Sequence, residues 1–116
     1  MAKGFEGLVV YQRAGKLSDA VRASVHSWWR LDVWTAGVQL VRATDSVPAN
    51  IAEATGHTSL KEQARFYVIA RSSLREAQHW LIRAEARELP LPNGARQEAQ
   101  EIGQMLNALI RSTNRA

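Results

Sequence analysis

Apolar residues between Val33 and Ala54 recur at steps of three and four, and this spacing continues without a phase shift across Pro48. Such steps place side chains on one face of an α-helix. A proline inside a helix removes a hydrogen bond and clashes with the carbonyl four residues earlier. If the chain restarted after a loop, the apolar face would have no reason to stay in register. We therefore predict one kinked helix over residues 31–55, with a break near Ser46 as the alternative, because the residue before a proline disfavours helical geometry.

Three other segments share this spacing and predict helices over residues 8–27, 59–88 and 94–112. A cluster of proline, asparagine and glycine at 90–94 separates the last two helices. We see no alternating pattern typical of a strand. The sequence therefore predicts an all-α fold, a single antiparallel up-down-up-down four-helix bundle over residues 1–116, because a heptad-like alternation favours this packing.

Two turn signals lie between the second and third helices. Gly56 is placed to end the second helix in a left-handed conformation. Ser59, followed by Glu62 three residues later, forms a capping-box pattern for the third helix.

A homo-oligomer is expected from helix lengths and tryptophan content. At 1.5 Å per residue the second and third helices reach about 37 and 45 Å, against about 30 Å for the others. The overhang would leave Ile51 and Leu60 without cover, and a partner subunit would bury them. Four tryptophans are many for one small core, so Trp28, Trp29 and Trp34 are assigned to the same interface. The alternatives are that they plug the end of the bundle or stack on the bases of a nucleic acid.

Composition points to a soluble cytoplasmic protein. The 116 residues can bury a core as one domain. The absence of cysteine excludes disulfides and thiolate metal sites and fits a reducing compartment. The charged first twenty residues argue against a signal peptide, and no apolar run approaches the roughly 18 residues of a membrane span.

The third helix carries a row of cations on the face opposite its apolar residues. The net charge is +4, and fifteen residues are Lys or Arg. Arginine donates bidentately to phosphate, and a row along a helix can follow a phosphate backbone. Ser72 and His79 accompany the cations in this row. We predict a nucleic-acid contact set of Lys61, Arg65, Arg71, Arg75 and Arg83. The alternative is a solvated face with local pairing to Glu62 and Glu76.

No catalytic residue, metal ligand set or cofactor is predicted. Glu53 and His57 are four residues apart, but this pair is isolated and metal sites need more ligands. We interpret Pro48, Asn50 and Glu53 as a structural motif, in which the Asn50 amide satisfies backbone groups released by the proline. Contact with a partner is the alternative for Asn50 and Glu53.

Three blocks of the sequence resemble a known family. They are FEGLVVYQRAGKL, SVPANIAEATGHTSLKEQARFYVIARSSLREA and EIGQMLNALI, and they cover about half the chain in the same order. The chain is similar to the four-helix proteins encoded in intervening sequences of bacterial 23S ribosomal RNA, which include the accessory variability proteins of diversity-generating retroelements. The resemblance implies a helical bundle that forms a ring, with five subunits expected, and no enzymatic activity. For the retroelement members it also implies binding of nucleic acid and a reverse transcriptase through a basic surface.

These observations favour an oligomeric scaffold or accessory protein that binds structured RNA or a nucleoprotein. A protein-only assembly with a solvated basic row is the opposing hypothesis. A bundle enzyme or small-molecule carrier that uses cavities of the ring is a third hypothesis, although the sequence shows no converging polar residues.

Overall fold

The structure is a computed structural model that describes residues 4–115, and within this range its regular elements are four α-helices and a short 3₁₀ turn, with no strand. The 3₁₀ turn at the start spans Gly4–Gly7. The helices are α1 at Val9–His26, α2 from Arg30–Asp32 through a π-helical segment Val33–Gly37 to Val38–Thr55, α3 at Leu60–Ala86 and α4 at Ala95–Arg115.

Each helix packs on two others. α1 contacts α2 and α4, and α3 contacts the same two helices. Side-chain bonds between helices join Ser18 to Asp45 and Ser46 to Ser73. The four helices thus enclose one core, and the chain forms a four-helix bundle of 46 × 26 × 22 Å.

α2 passes through Pro48 without interruption, so the alternative of a break near Ser46 is wrong. Because proline has no N–H, the Thr44 carbonyl lacks its usual helical donor. The Thr44 hydroxyl donates to the Leu40 carbonyl at 3.0 Å, and the Asn50 amide donates to the Ser46 carbonyl at 2.8 Å. These bonds hold the helix on both sides of the proline, and the apolar face keeps its register.

A π-helical segment at Val33–Gly37 was not expected from the sequence spacing. Here α2 lies close to α1: a Cβ added to Gly37 would lie 2.7 Å from Val25 Cγ1 and 3.4 Å from Trp28 Cε3. Glycine is therefore required for this contact, because no other residue leaves that space empty.

Of the two signals predicted for the turn between α2 and α3, the structure confirms the Ser59 cap and contradicts a left-handed Gly56. The Ser59 hydroxyl accepts the Glu62 backbone N–H at 3.3 Å, so Ser59 caps α3. The Glu62 carboxylate bonds to Arg65 instead of returning to the Ser59 backbone. The expectation for Gly56 is wrong, since its φ of −81° is right-handed.

α3 ends earlier than expected, because Glu88 adopts a left-handed conformation with φ of 56°. The N–H of Leu89 bonds to the Ala84 carbonyl, and the N–H of Glu88 bonds to the Glu85 carbonyl, both at 3.0 Å. This pair of bonds is a Schellman cap, which usually has glycine at the left-handed position.

The core consists of side chains from the apolar faces of the four helices. Its largest fully buried side chains are Leu40, Ile51, Leu74, Leu81, Ile102 and Leu106. In α4 the next buried residue after Leu106 is Ile110, and Leu109 is partly buried. A step of four from Leu106 reaches Ile110, and α4 continues to Arg115, beyond the predicted end at residue 112.

The expected overhang does not leave Ile51 uncovered, and this expectation is wrong: Ile51 is fully buried. The 3₁₀ turn at Gly4–Gly7 contacts α2, and α4 is longer than expected. With the 3₁₀ turn before α1 and the longer α4, the bundle extends further than the predicted lengths of the first and fourth helices. Leu60, at the same end, is 43% exposed.

Candidate nucleic-acid interface

The five cations that were predicted to bind nucleic acid lie exposed on α3. They are Lys61, Arg65, Arg71, Arg75 and Arg83, and we call them the basic row. At 1.5 Å per residue the row extends over about 33 Å of the helix axis.

Two members of the basic row have partners within the protomer. Arg65 donates from Nε to Glu62 Oε2 at 2.9 Å, and its guanidinium carbon lies 4.5 Å from the centre of the Phe66 ring. This bond to Arg65 holds the pKa of Glu62 below its ordinary value. Arg71 donates to Asn107 Oδ1 of α4 at 2.9 Å. Arg65 and Arg71 are thereby oriented, and Arg65 has a counter-charge beside it.

The other three members have no carboxylate partner in the part of the chain that the structure describes. Lys61, Arg75 and Arg83 have no Asp or Glu oxygen within 4.0 Å. Glu76, which the sequence offered as a local partner for Arg75 or Arg83, forms neither pair. These three charges are balanced only by solvent and ions, so a polyanion can bind them without breaking an ion pair.

A polar groove of about 550 Å³ runs beside the basic row, between α3 and α4. Its polar lining includes two arginines of the row. We call it the amide groove and define it by Arg71, Arg75, Gln78, Gln100, Gln104 and Asn107. It continues into a second groove that shares Arg75, Gln78 and Gln100 and is bounded by an ion pair of Arg96 with Glu85 at 3.0 Å.

Sequence reasoning missed the amide groove. The spacing of Gln100, Gln104 and Asn107, at steps of four and three, was the available signal because it places all three on one face of α4. That this face lies beside Arg71 and Arg75 is decided by the packing of α3 on α4.

The predicted structural motif forms a polar contact between α2 and α3. Asn50 Nδ2 donates to the Ser46 carbonyl and to Ser46 Oγ, which is bonded at 2.8 Å to Ser73 Oγ of α3. Asn50 thus binds a backbone carbonyl, although it is the one at Ser46 rather than the Thr44 carbonyl that Pro48 leaves without its usual donor.

Glu53 and His57 are close but do not form a metal site with other residues. His57 Nε2 lies 3.4 Å from Glu53 Oε2. The imidazole stacks on Phe66 with ring centres 4.9 Å apart, and the His57 carbonyl accepts the Gln63 amide at 2.7 Å. Among residues 4–115 no group of three or more His, Asp or Glu side chains is arranged to hold a metal. The ring and the carbonyl of His57 thus join the turn before α3 to the first residues of α3.

The residues assigned to an oligomer interface divide into two groups. Trp28 is buried, and its indole Nε1 donates to the Pro90 carbonyl at 2.7 Å, so it joins the turn between α1 and α2 to the loop after α3. Together with Ile51, it has no surface to offer a partner. Trp29 and Trp34 are 70% and 71% exposed, and Leu31 beside them is 58% exposed. These exposed side chains form an apolar area at the start of α2.

An ion-pair cluster between α1 and α4 was also missed. Arg13 bonds to Glu98 at 2.5 Å and to Glu101 at 2.6 Å. The Arg13 bond lowers the pKa of Glu98, while the pKa of Glu101 is lowered by the Gln97 amide first and by Arg13 second. Both carboxylates raise the pKa of Arg13. The cluster is a structural link on the side of the bundle away from α2 and α3.

The family of the chain follows from its sequence match. A family model described as 23S rRNA-intervening sequence protein matches residues 6–108, which include parts of all four helices. The chain belongs to this family. This family is not a known enzyme family. No match was found among curated proteins.

The helices of the described chain are not suited to spanning a membrane. Within residues 4–115, none combines the length and the apolar character needed to cross a bilayer. α4, for example, has an outer face that carries Arg96, Gln100 and Gln104 and is therefore strongly polar.

Proposed function

We propose that the protein is a non-enzymatic scaffold that assembles into a homo-oligomeric ring, with five subunits, and binds structured RNA or a nucleoprotein through the basic row. The observation that carries the RNA part is that Lys61, Arg75 and Arg83 share one exposed helix face without carboxylate partners in the described chain. Affinity for nucleic acid arises mainly from such contacts to phosphate. The family description, which names 23S rRNA, is consistent with an RNA partner, and the lack of cysteine favours the cytoplasm as its location.

The helices of this scaffold run up, down, up and down in our proposal. In support, bonds between α3 and α4 join Arg71 to Asn107 and Glu85 to Arg96, so that residue numbers rise in one helix as they fall in the other. Connections of a few residues between successive helices also favour neighbours of opposite direction.

Self-association is supported by the apolar area at the start of α2. Trp29, Leu31 and Trp34 are all more than half exposed. Tryptophan is enriched at the centres of protein interfaces, since it buries a large surface with few rotatable bonds. A second copy of the chain would cover these side chains.

The second candidate function is a protein-only assembly. It is supported by the bonds that Arg65 and Arg71 make within the protomer. Arg65 has Glu62 as a counter-charge, and Arg71 bonds to Asn107. If the whole basic row serves only to keep the surface solvated, the protein will bind no polyanion at low salt.

Titration with a structured RNA at several salt concentrations distinguishes the two. The proposal expects affinity to fall steeply as salt rises, because bound phosphates release counterions. Arg75→Ala/Arg83→Ala should weaken binding and lower the salt slope by about two, roughly one for each phosphate that the variant no longer binds.

The matched control is Arg22→Ala/Arg42→Ala, which removes the same charge from α1 and α2. It should change the slope much less. Equal effects of the two double variants would show that net charge and not the basic row attracts the RNA, and an absence of binding at low salt would leave only the protein-only assembly.

A further inference from the structure

The amide groove places uncharged hydrogen-bonding groups next to the cations of α3. We infer that it binds unpaired nucleotides of RNA, with amides on the base edges and arginines on the phosphates. The inference rests on the proposed function, because the basic row is what brings RNA to this surface.

Two bonds between α3 and α4 mark the ends of the binding surface. At one end Arg71 bonds to Asn107, and at the other Arg96 bonds to Glu85. At 1.5 Å per residue, positions 96 and 107 of α4 are about 16 Å apart. This length accommodates a few nucleotides at the roughly 3.4 Å spacing of stacked bases on one strand.

Four of the side chains between these two bonds have no hydrogen-bond partner in the part of the chain that the structure describes, whereas Gln97 donates to Glu101. Gln78, Gln100, Gln104 and Arg75 form no hydrogen bond with another residue there. Each glutamine carries one acceptor oxygen and a donor NH₂. A ligand can therefore use these groups without displacing a bond within the protein.

The floor of the groove is open at Gly103, which is partly exposed and lies over Leu74. A Cβ at this position would be 3.4 Å from Leu74 Cδ2, in ordinary contact with it. Because glycine has no side chain, the space between the glutamines of α3 and α4 stays free at this level.

This combination suits nucleotides that are not base-paired. Amides present a donor and an acceptor together, as base edges do, and they match bases bidentately. In a duplex RNA the base edges are engaged or lie in a groove that side chains read poorly, so sequence-dependent contacts go to unpaired regions. Arginine adds planar stacking to its phosphate contact, which lysine does not supply. Among the described residues, no Asp or Glu lines the 550 Å³ part of the groove, and the one carboxylate of the second groove, Glu85, is paired with Arg96.

The test compares three probes: a short single-stranded RNA, an RNA duplex of the same strand length and inorganic polyphosphate. Their affinities are measured by fluorescence competition for the intact protein and for Gln78→Ala/Gln100→Ala/Gln104→Ala. The triple variant should bind the single strand about tenfold or more weakly, as expected when hydrogen bonds to bases are removed. Its affinity for polyphosphate and its salt slope should stay within about twofold of the unchanged protein, since no charge is removed.

Two further variants sharpen the result. Gln12→Ala/Gln39→Ala removes amides from α1 and α2, outside the groove, and should leave all three affinities unchanged. Arg75→Lys keeps the charge but not the planar guanidinium, so it should weaken the single strand more than polyphosphate. Circular dichroism on each variant establishes that its helices are intact.

The outcomes separate the inference from the function on which it rests. If the protein binds RNA in a salt-dependent manner but the triple variant binds the single strand as tightly as before, the groove does not bind nucleotides and the basic row stands. The same conclusion follows if duplex and single strand bind alike with every variant. If no probe binds at low salt, neither the groove nor the basic row binds RNA, and only the protein-only assembly is left.

Discussion

Gly37 illustrates how one residue sets the distance between two helices. It lies at the end of the π-helical segment of α2, against Val25 of α1 and Trp28 of the turn between α1 and α2. Its own backbone is right-handed, with φ of −62°. Glycine is needed there because of the neighbouring atoms and not because of its backbone conformation.

Gly37→Ala should therefore destabilise the protein by about 1–3 kcal/mol, the usual cost of overpacking. The new methyl would lie 2.7 Å from Val25 Cγ1 and 3.1 Å from the Asp32 carbonyl oxygen. Urea or thermal unfolding followed by circular dichroism measures the change.

Gly15→Ala is the matched control for this substitution. Gly15 lies within α1, and an added Cβ would meet nothing within 4 Å. It should stabilise the protein by about 0.5–1 kcal/mol, because alanine loses less entropy than glycine in a helix. If both variants were stabilised, the close contact at Gly37 would not exist in solution.

The place of the Trp28 side chain in the fold could not be predicted from its residue type alone. The tryptophan content assigned it to an oligomer interface, with a place at the end of the bundle as the alternative. The structure buries it and gives its N–H the Pro90 carbonyl. This acceptor is distant in sequence, so only the packing of the loop after α3 decides where the indole lies.

At the scale of the elements, α1 and α4 are linked by charge as well as by apolar contact. Arg13 bridges Glu98 and Glu101, which are three residues apart on one face of α4. Opposite charges at these positions were visible in the sequence, but their pairing depends on two helices being neighbours, which the spacing within each helix does not reveal.

The stability that this cluster contributes should depend on pH. The pKa values of Glu98 and Glu101 are lowered in the folded protein. Their contribution is therefore complete above the pKa of glutamate in the unfolded chain, near 4.5, and is lost as the pH falls through the lower folded values. Arg13→Gln should reduce the fall in melting temperature between pH 6 and pH 3, roughly the range in which an unfolded glutamate titrates.

Lys16→Gln is the control, because it removes a nearby exposed charge of α1 that has no ion-pair partner among residues 4–115. It should keep the pH dependence of the unchanged protein. A parallel loss of stability with acid in all three proteins would mean that Arg13 does not bind these carboxylates in solution.

Helix ends show a second limit at the element scale. Gly56 was expected to be left-handed, whereas Glu88 adopts that conformation in the Schellman cap of α3. Glycine permits the left-handed region but does not impose it. The bonds of Glu88 and Leu89 to the last turn of α3 make this conformation favourable despite the side chain.

For the whole molecule, the exposed apolar area at the start of α2 predicts assembly. Trp29→Ser/Trp34→Ser should lower the molar mass measured by light scattering toward 12.9 kDa, the mass of one chain. The helix content should remain, because both indoles are mostly exposed in the protomer.

Val9→Ser tests whether any exposed apolar residue would have the same effect. Val9 is 58% exposed on α1. The mass should stay that of the oligomer in this variant. An unchanged protein that is monomeric at micromolar concentrations would contradict the assembly, and dissociation by Val9→Ser alone would place the interface on α1.

The sequence by itself determined the four helices, most of the residues that face the core and the row of cations on α3. These features depend on the 3.6-residue period, which each helix has regardless of its neighbours. The continuity of α2 through Pro48 was also determined by the sequence, because the apolar face stayed in register across the proline.

The tertiary structure decided which faces meet. The amide groove, the Arg13 cluster and the bond of Trp28 to Pro90 join residues that are far apart in the chain, and the close contact at Gly37 joins two successive helices. The periodicity of one helix carries no information about the partner of its polar side or the distance to that partner. These features follow only when the helices are packed around one core.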